Sequence, residues 1–72
     1  MLRLIVYKYM KKLKINTLQE LLALMNKDSD FNFVLQHLTN TINEYEPNFR
    51  YLIRLEEVFG LEKGILQSMF DR

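Results

Sequence analysis

Apolar residues in this chain return at intervals of three and four. Leu2, Ile5, Val6, Tyr9, Met10 and Leu13 lie on one side of an α-helix, with Arg3, Lys8, Lys11 and Lys14 on the other. The β-branched and aromatic content of LRLIVYKY would suit a strand. Strand alternation fails, however, because Leu4, Ile5, Val6 and Tyr7 are apolar in succession. The same helical interval recurs in Leu18, Leu21, Leu22 and Met25, and again in Val34, Leu35, Leu38 and Ile42. It continues through Tyr51, Leu52, Leu55, Val58 and Phe59, and finally through Leu61, Ile65, Leu66, Met69 and Phe70. The spacing predicts helices over 2–14, 18–26, from Phe31 toward Tyr45, from Pro47 to Gly60, and over 61–70. The expected class is all-α: a compact five-helix bundle forming a single domain over 1–72.

The boundaries carry their own chemistry. Thr17-Leu-Gln-Glu20 reads as a capping box, in which the hydroxyl accepts a backbone N–H and Glu20 reaches back. Asn26-Lys27-Asp28-Ser29-Asp30 is a polar break, with Asp28 and Asp30 as candidate caps for the next helix. Pro47 suits a helix start and Gly60 a left-handed stop. The 72 residues contain no Cys, so disulfides and thiolate metal sites are excluded. The lone His37 has no carboxylates at ligand spacing. Nothing in the chain pairs a nucleophile with a base or cradles a phosphate with glycines, so neither enzyme chemistry nor a cofactor is expected. Stability must come from dense helix packing or oligomerisation.

The opening is basic and apolar, but its lysines follow the apolar stretch and no small-residue cleavage site comes after. That favours a cytoplasmic protein. Membrane-surface binding through helix 1 would compete with the core for the same apolar side. The formal charge of +1 conceals a split. Through Lys27 six basic residues face one acid, giving +5; from Asp28 onward four basic residues face eight acids, giving −4. Such polarity can orient a partner.

Two stretches carry a family resemblance. "PNFRYLIRLEEVFGLEKGIL" has the pattern P-x-F-x-x-L-x-x-L-x-x-x-x-G-L, and "NTLQELLALMN" places Gln19 early in a helix followed by Leu21-Leu22-Ala23. Together these resemble a divergent lambda-repressor-like helix-turn-helix domain of the Xre/Cro type, over roughly residues 3–66. The resemblance implies a helix-turn-helix at about 17–40 and a repressor-type transcriptional regulator, of the kind phages and plasmids carry. It would bind double-stranded DNA as a homodimer. Helix 3 would enter the major groove with Asn32, Phe33, Gln36 and His37 at base edges. Lys11, Lys14, Thr17, Gln19 and Lys27 would hold phosphates. The turn lacks the glycine usual in the family, and no Lys or Arg lies between Asp28 and Thr41.

Other features permit a reading of a different class. Leu4, Tyr7, Leu24, Phe33 and Phe70 exceed what one small core requires, which suggests an interface. Met69 and Phe70 are the candidates for a dimer contact. The acidic residues Glu44, Glu46, Glu56, Glu57 and Glu62 could instead serve a helical interaction module, an antirepressor or inhibitor acting on another protein.

Overall fold

A computed structural model describes residues 1–70. Among them lie four α-helices and no strand: α1 (Leu2–Lys12), α2 (Leu18–Asn26), α3 (Leu35–Ile42) and α4 (Phe49–Phe59). A 3-10 helix, Gln67–Phe70, follows them. The all-α class holds, with four helices and a 3-10 turn where five helices were expected. α3 packs against α1, α2 and α4, and α4 also meets α2 and the 3-10 helix. Their apolar stripes meet in one core, from Leu2, Val6 and Met10 through Leu21, Met25, Leu38 and Ile42 to Tyr51, Leu52 and Leu55.

α2 begins as its capping box predicts. Thr17 Oγ1 accepts from the Glu20 N–H (3.1 Å), while Glu20 accepts from the Asn16 N–H (2.7 Å), one residue further back than a capping box requires. α4 begins at an Asn48 cap, whose Oδ1 accepts from the Arg50 N–H, so Pro47 stands just outside the helix.

Three helices end in the same backbone device. After α4, Gly60 is left-handed (φ 68°), its N–H donates to Glu57 O, and the Leu61 N–H donates to Glu56 O (2.9 Å). This is the Schellman arrangement, and the predicted stop at Gly60 is where the helix stops. After α1 the left-handed residue is Lys14 (φ 61°), with Ile15 N–H to Met10 O at 2.8 Å; after α3 it is Glu44 (φ 62°), with Tyr45 N–H to Asn40 O at 3.0 Å. Helix 1 therefore stops two residues short of Lys14, and Leu13, expected on the buried stripe, is exposed. Buried Ile15 takes its place in the core. Tyr45, beyond the end of α3, is 78% exposed.

α2 ends differently. Arg54, on α4, donates through Nε to Met25 O and through Nη2 to Lys27 O, both at 2.8 Å, and pairs through Nη1 with Glu57. The guanidinium thus takes up carbonyls that the helix end leaves free.

The largest departures from expectation lie on either side of α4. Helix 3 does not start at Phe31. The Asn26 side chain pairs with the Phe33 backbone in both directions (2.7 and 3.0 Å), and Tyr51 Oη accepts from the Val34 N–H at 2.8 Å. These three bonds hold the approach to Val34 extended, so the helix can begin only at Leu35. Its cap position is Val34, with no side-chain bond, and Asp28 and Asp30 cap nothing. The predicted helix over 61–70 is likewise broken. Gly64 adopts φ 96°, and the Glu56 carboxylate accepts from the backbone of Gly64 (2.9 Å), Leu66 (2.8 Å) and Gln67 (3.3 Å) and from the Gln67 amide (3.1 Å). With those N–H groups turned onto one carboxylate, only the last four residues coil, as a 3-10 helix.

Candidate nucleic-acid interface

The residues expected to touch DNA separate into two groups. Lys11, Lys14, Thr17 and Gln19 gather where α1 passes into α2, and all four are exposed. Asn32, Gln36 and His37 lie around the start of α3 and are also exposed. Lys27, exposed at the far end of α2, stands about 15 Å along that helix from Thr17. Gln36 and His37 occupy the first turn of α3, and no acid occurs from Phe31 to Asn43. Behind them Leu38 and Ile42 are buried, as is Thr41, one turn after His37; the Thr41 hydroxyl donates to His37 O at 2.8 Å.

Phe33 does not belong to this surface. It is 4% exposed and sits edge-on to Tyr51 (ring centroids 4.9 Å) and to Phe31 (4.8 Å). The Asn26 bonds turn its backbone outward and its ring inward, so it is a core residue and neither a base contact nor surplus surface. Arg50 covers Phe31 from outside, its guanidinium 4.4 Å from the ring centre. Asn32 precedes α3 in the extended segment instead of riding on the helix.

The connection between α2 and α3 covers residues 27–34, eight residues. A helix-turn-helix ordinarily uses three or four. The extra length is the FNFV segment itself, spent on the aromatic cluster. No family model, curated protein or solved structure matches the chain. The site therefore rests on its own geometry.

Of the five acids foreseen on the acidic surface, Glu56 alone is buried. Glu56 is 2% exposed and points into the molecule. Burial raises the cost of its charge, but its hydrogen bonds to Gly64, Leu66 and Gln67 outweigh that and hold the carboxyl below its ordinary value of 4.5. Glu57 pairs with Arg54, and Glu44 accepts from the amino-terminal ammonium at 2.8 Å and from the Leu2 N–H, which lowers its pKa too. Glu44, Glu46, Glu57 and Glu62 are all exposed.

Met69 and Phe70, the residues foreseen for a dimer contact, are half-buried and packed on the core. Leu4, Tyr7 and Leu24 are exposed as expected, Leu4 at 68%. The sequence reading missed a groove of about 440 Å³ between α1 and the C-terminal segment, walled by Ile5, Tyr9, Leu61, Ile65 and Met69. It also missed what Arg54 and Glu56 do inside the fold. The signal for Glu56 was its position: it shares the helical stripe of Leu52, Leu55 and Phe59, where a carboxylate needs partners. No helix among the described residues is long and apolar enough to cross a membrane.

Proposed function

We propose that the chain is a DNA-binding transcriptional regulator of the repressor type, acting in the cytoplasm, with the first turn of α3 presented to the major groove. The observation that carries this reading is the adjacent exposure of Gln36 and His37 on a helix anchored by three neighbours, with no acid between Phe31 and Asn43. Gln pairs bidentately with adenine, and His can donate to or accept from a base edge. Asn32 flanks them. Lys11, Lys14 and Lys27 supply the attraction to phosphate, with Thr17 and Gln19 as polar contacts. With no Arg at the reading turn, recognition favours A·T-rich edges. A monomer binds weakly, and a homodimer gains affinity by spanning two half-sites.

Titration with nonspecific duplex DNA at several salt concentrations tests the reading. Binding should weaken by close to one logarithmic unit per logarithmic unit of salt for each phosphate neutralised. Replacing Lys11 and Lys14 by Ala should flatten that slope, while Gln36→Ala should alter sequence preference at constant slope. Undetectable binding at low salt rejects the proposal. A second reading, a helical module acting on another protein, is favoured by one specific observation: the half-open groove beside α1.

A further inference from the structure

We infer that the groove between α1 and the C-terminal segment docks an acidic amphipathic helix of a partner protein. Its walls are apolar: Ile5 and Tyr9 on one side, Leu61, Ile65 and Met69 on the other, and Ile65 is 49% exposed. An apolar side chain so open at the lip of a concave surface is unfilled space for another (helix-in-groove docking uses apolar anchors at i, i+3, i+4 and i+7). From Ile5 to Lys12 the wall extends about 10 Å, two turns of a bound helix.

Charge selects the occupant. Residues 1–19 carry Arg3, Lys8, Lys11, Lys12 and Lys14 and no acid. At about 100° per residue, Lys12 falls beside Ile5 and Tyr9 on α1, and Lys8 borders that side. Lys8 lines the groove, and the Lys12 ammonium lies 5.8 Å from the centre of the Tyr9 ring. Lys63, across the chain, instead lines a smaller groove with Ile53 and Glu57. The rim is thus cationic on its helical wall, and a docked helix needs carboxylates flanking its apolar stripe. A second copy fits poorly. Two-fold contact would face one concave, lysine-rimmed surface with another. Neither Lys8 nor Lys12 is among the residues assigned to phosphate, so this site does not depend on the DNA reading.

The test uses the full chain, labelled for amide NMR. The probe is a synthetic peptide of about 16 residues with Leu at i, i+3, i+4 and i+7 and Glu at the flanking positions. A scrambled peptide of the same composition serves as control. The peptide should shift the amides of Ile5, Lys8, Tyr9, Ile65 and Met69, with a dissociation constant below about 100 µM at low salt. Lys8→Glu with Lys12→Glu should weaken it at least tenfold, and so should Ile65→Ser. All three positions are exposed, so folding is retained and is checked by circular dichroism. The inference is overturned if the scrambled peptide binds equally well, if the shifts fall outside the groove, or if the charge reversals leave affinity unchanged. It is also overturned if sedimentation and concentration-dependent shifts show the groove closed by a second copy.

Discussion

Replacing Glu56 by Ala should remove a large part of this protein's stability. The carboxylate accepts four hydrogen bonds, three from backbone N–H groups, and the Leu66 N–H among them is buried. A hydrogen bond to a charged group contributes about 1.5–3 kcal/mol, and an orphaned buried donor costs about 1–3 kcal/mol. Water reaches the more open Gly64 and Gln67 donors once the side chain is gone, so the loss is set mainly by Leu66 and its packing. We expect about 2–4 kcal/mol from a total of roughly 4–11 for a chain of this size. The melting temperature should fall on the order of 10–30 °C, and amide exchange at Leu66 should accelerate before that of Leu38 or Leu52. Glu56→Gln keeps one acceptor but turns an NH₂ toward backbone donors, and should lose about half as much. The charge also fixes the pH dependence. A folded-state pKa below 4.5 means that the contribution is fully present above that pH and is lost as pH falls through the folded value. The deficit of Glu56→Gln should therefore shrink under acid. An Ala variant melting within about 2 °C of the parent, with Leu66 exchange unchanged, would refute the reasoning.

Other perturbations probe the loop and the helix ends. Asn26→Ala strands both backbone groups of Phe33 and should cost about 1–3 kcal/mol, and Tyr51→Phe, losing the bond to Val34, about 1 kcal/mol in urea unfolding. Because both hold the same extended segment, the double variant should depart from additivity by more than about 0.5 kcal/mol. Arg54→Lys cannot reproduce the fork that reaches Met25 O and Lys27 O, and should lose about 1–2 kcal/mol in the same measurement. Lys14→Gly removes a left-handed strain of about 1–2 kcal/mol at some cost in unfolded-chain entropy. It should raise the melting temperature by a few degrees.

What was legible in the sequence follows from where the determinants sit. α2 could be read to the residue because its cap, Thr17, and its apolar stripe are local. The end of α4 was equally plain, since glycine advertises a left-handed residue. Lys14 and Glu44 perform the same task without advertisement, because a side chain that can be forced into that conformation looks like any other surface residue. The start of α3 was misread for a different reason. FNFV tolerates a helix, and what forbids one is a side chain seven residues earlier and a hydroxyl seventeen residues later. The same holds for 61–70, whose apolar spacing is helical but whose amides are claimed by Glu56. Of the candidate site, the lysines, Gln36 and His37 were visible as exposed polar positions. The burial of Phe33 was invisible without the Asn26 and Tyr51 bonds.

The hydrogen bonds from α4 to the irregular parts of the molecule fall mostly on their main chain. Tyr51 takes the Val34 N–H, Arg54 the carbonyls of Met25 and Lys27, and Glu56 the N–H groups of Gly64, Leu66 and Gln67. Backbone atoms carry those bonds, so the particular side chains of Lys27, Val34 and Ile65 are not needed to make them. Descendants of this sequence can exchange Lys27, Val34 or Ile65 for other residues without redrawing the path of either loop. The surfaces that meet a partner are thereby free to diverge while α4 keeps the same scaffold beneath them.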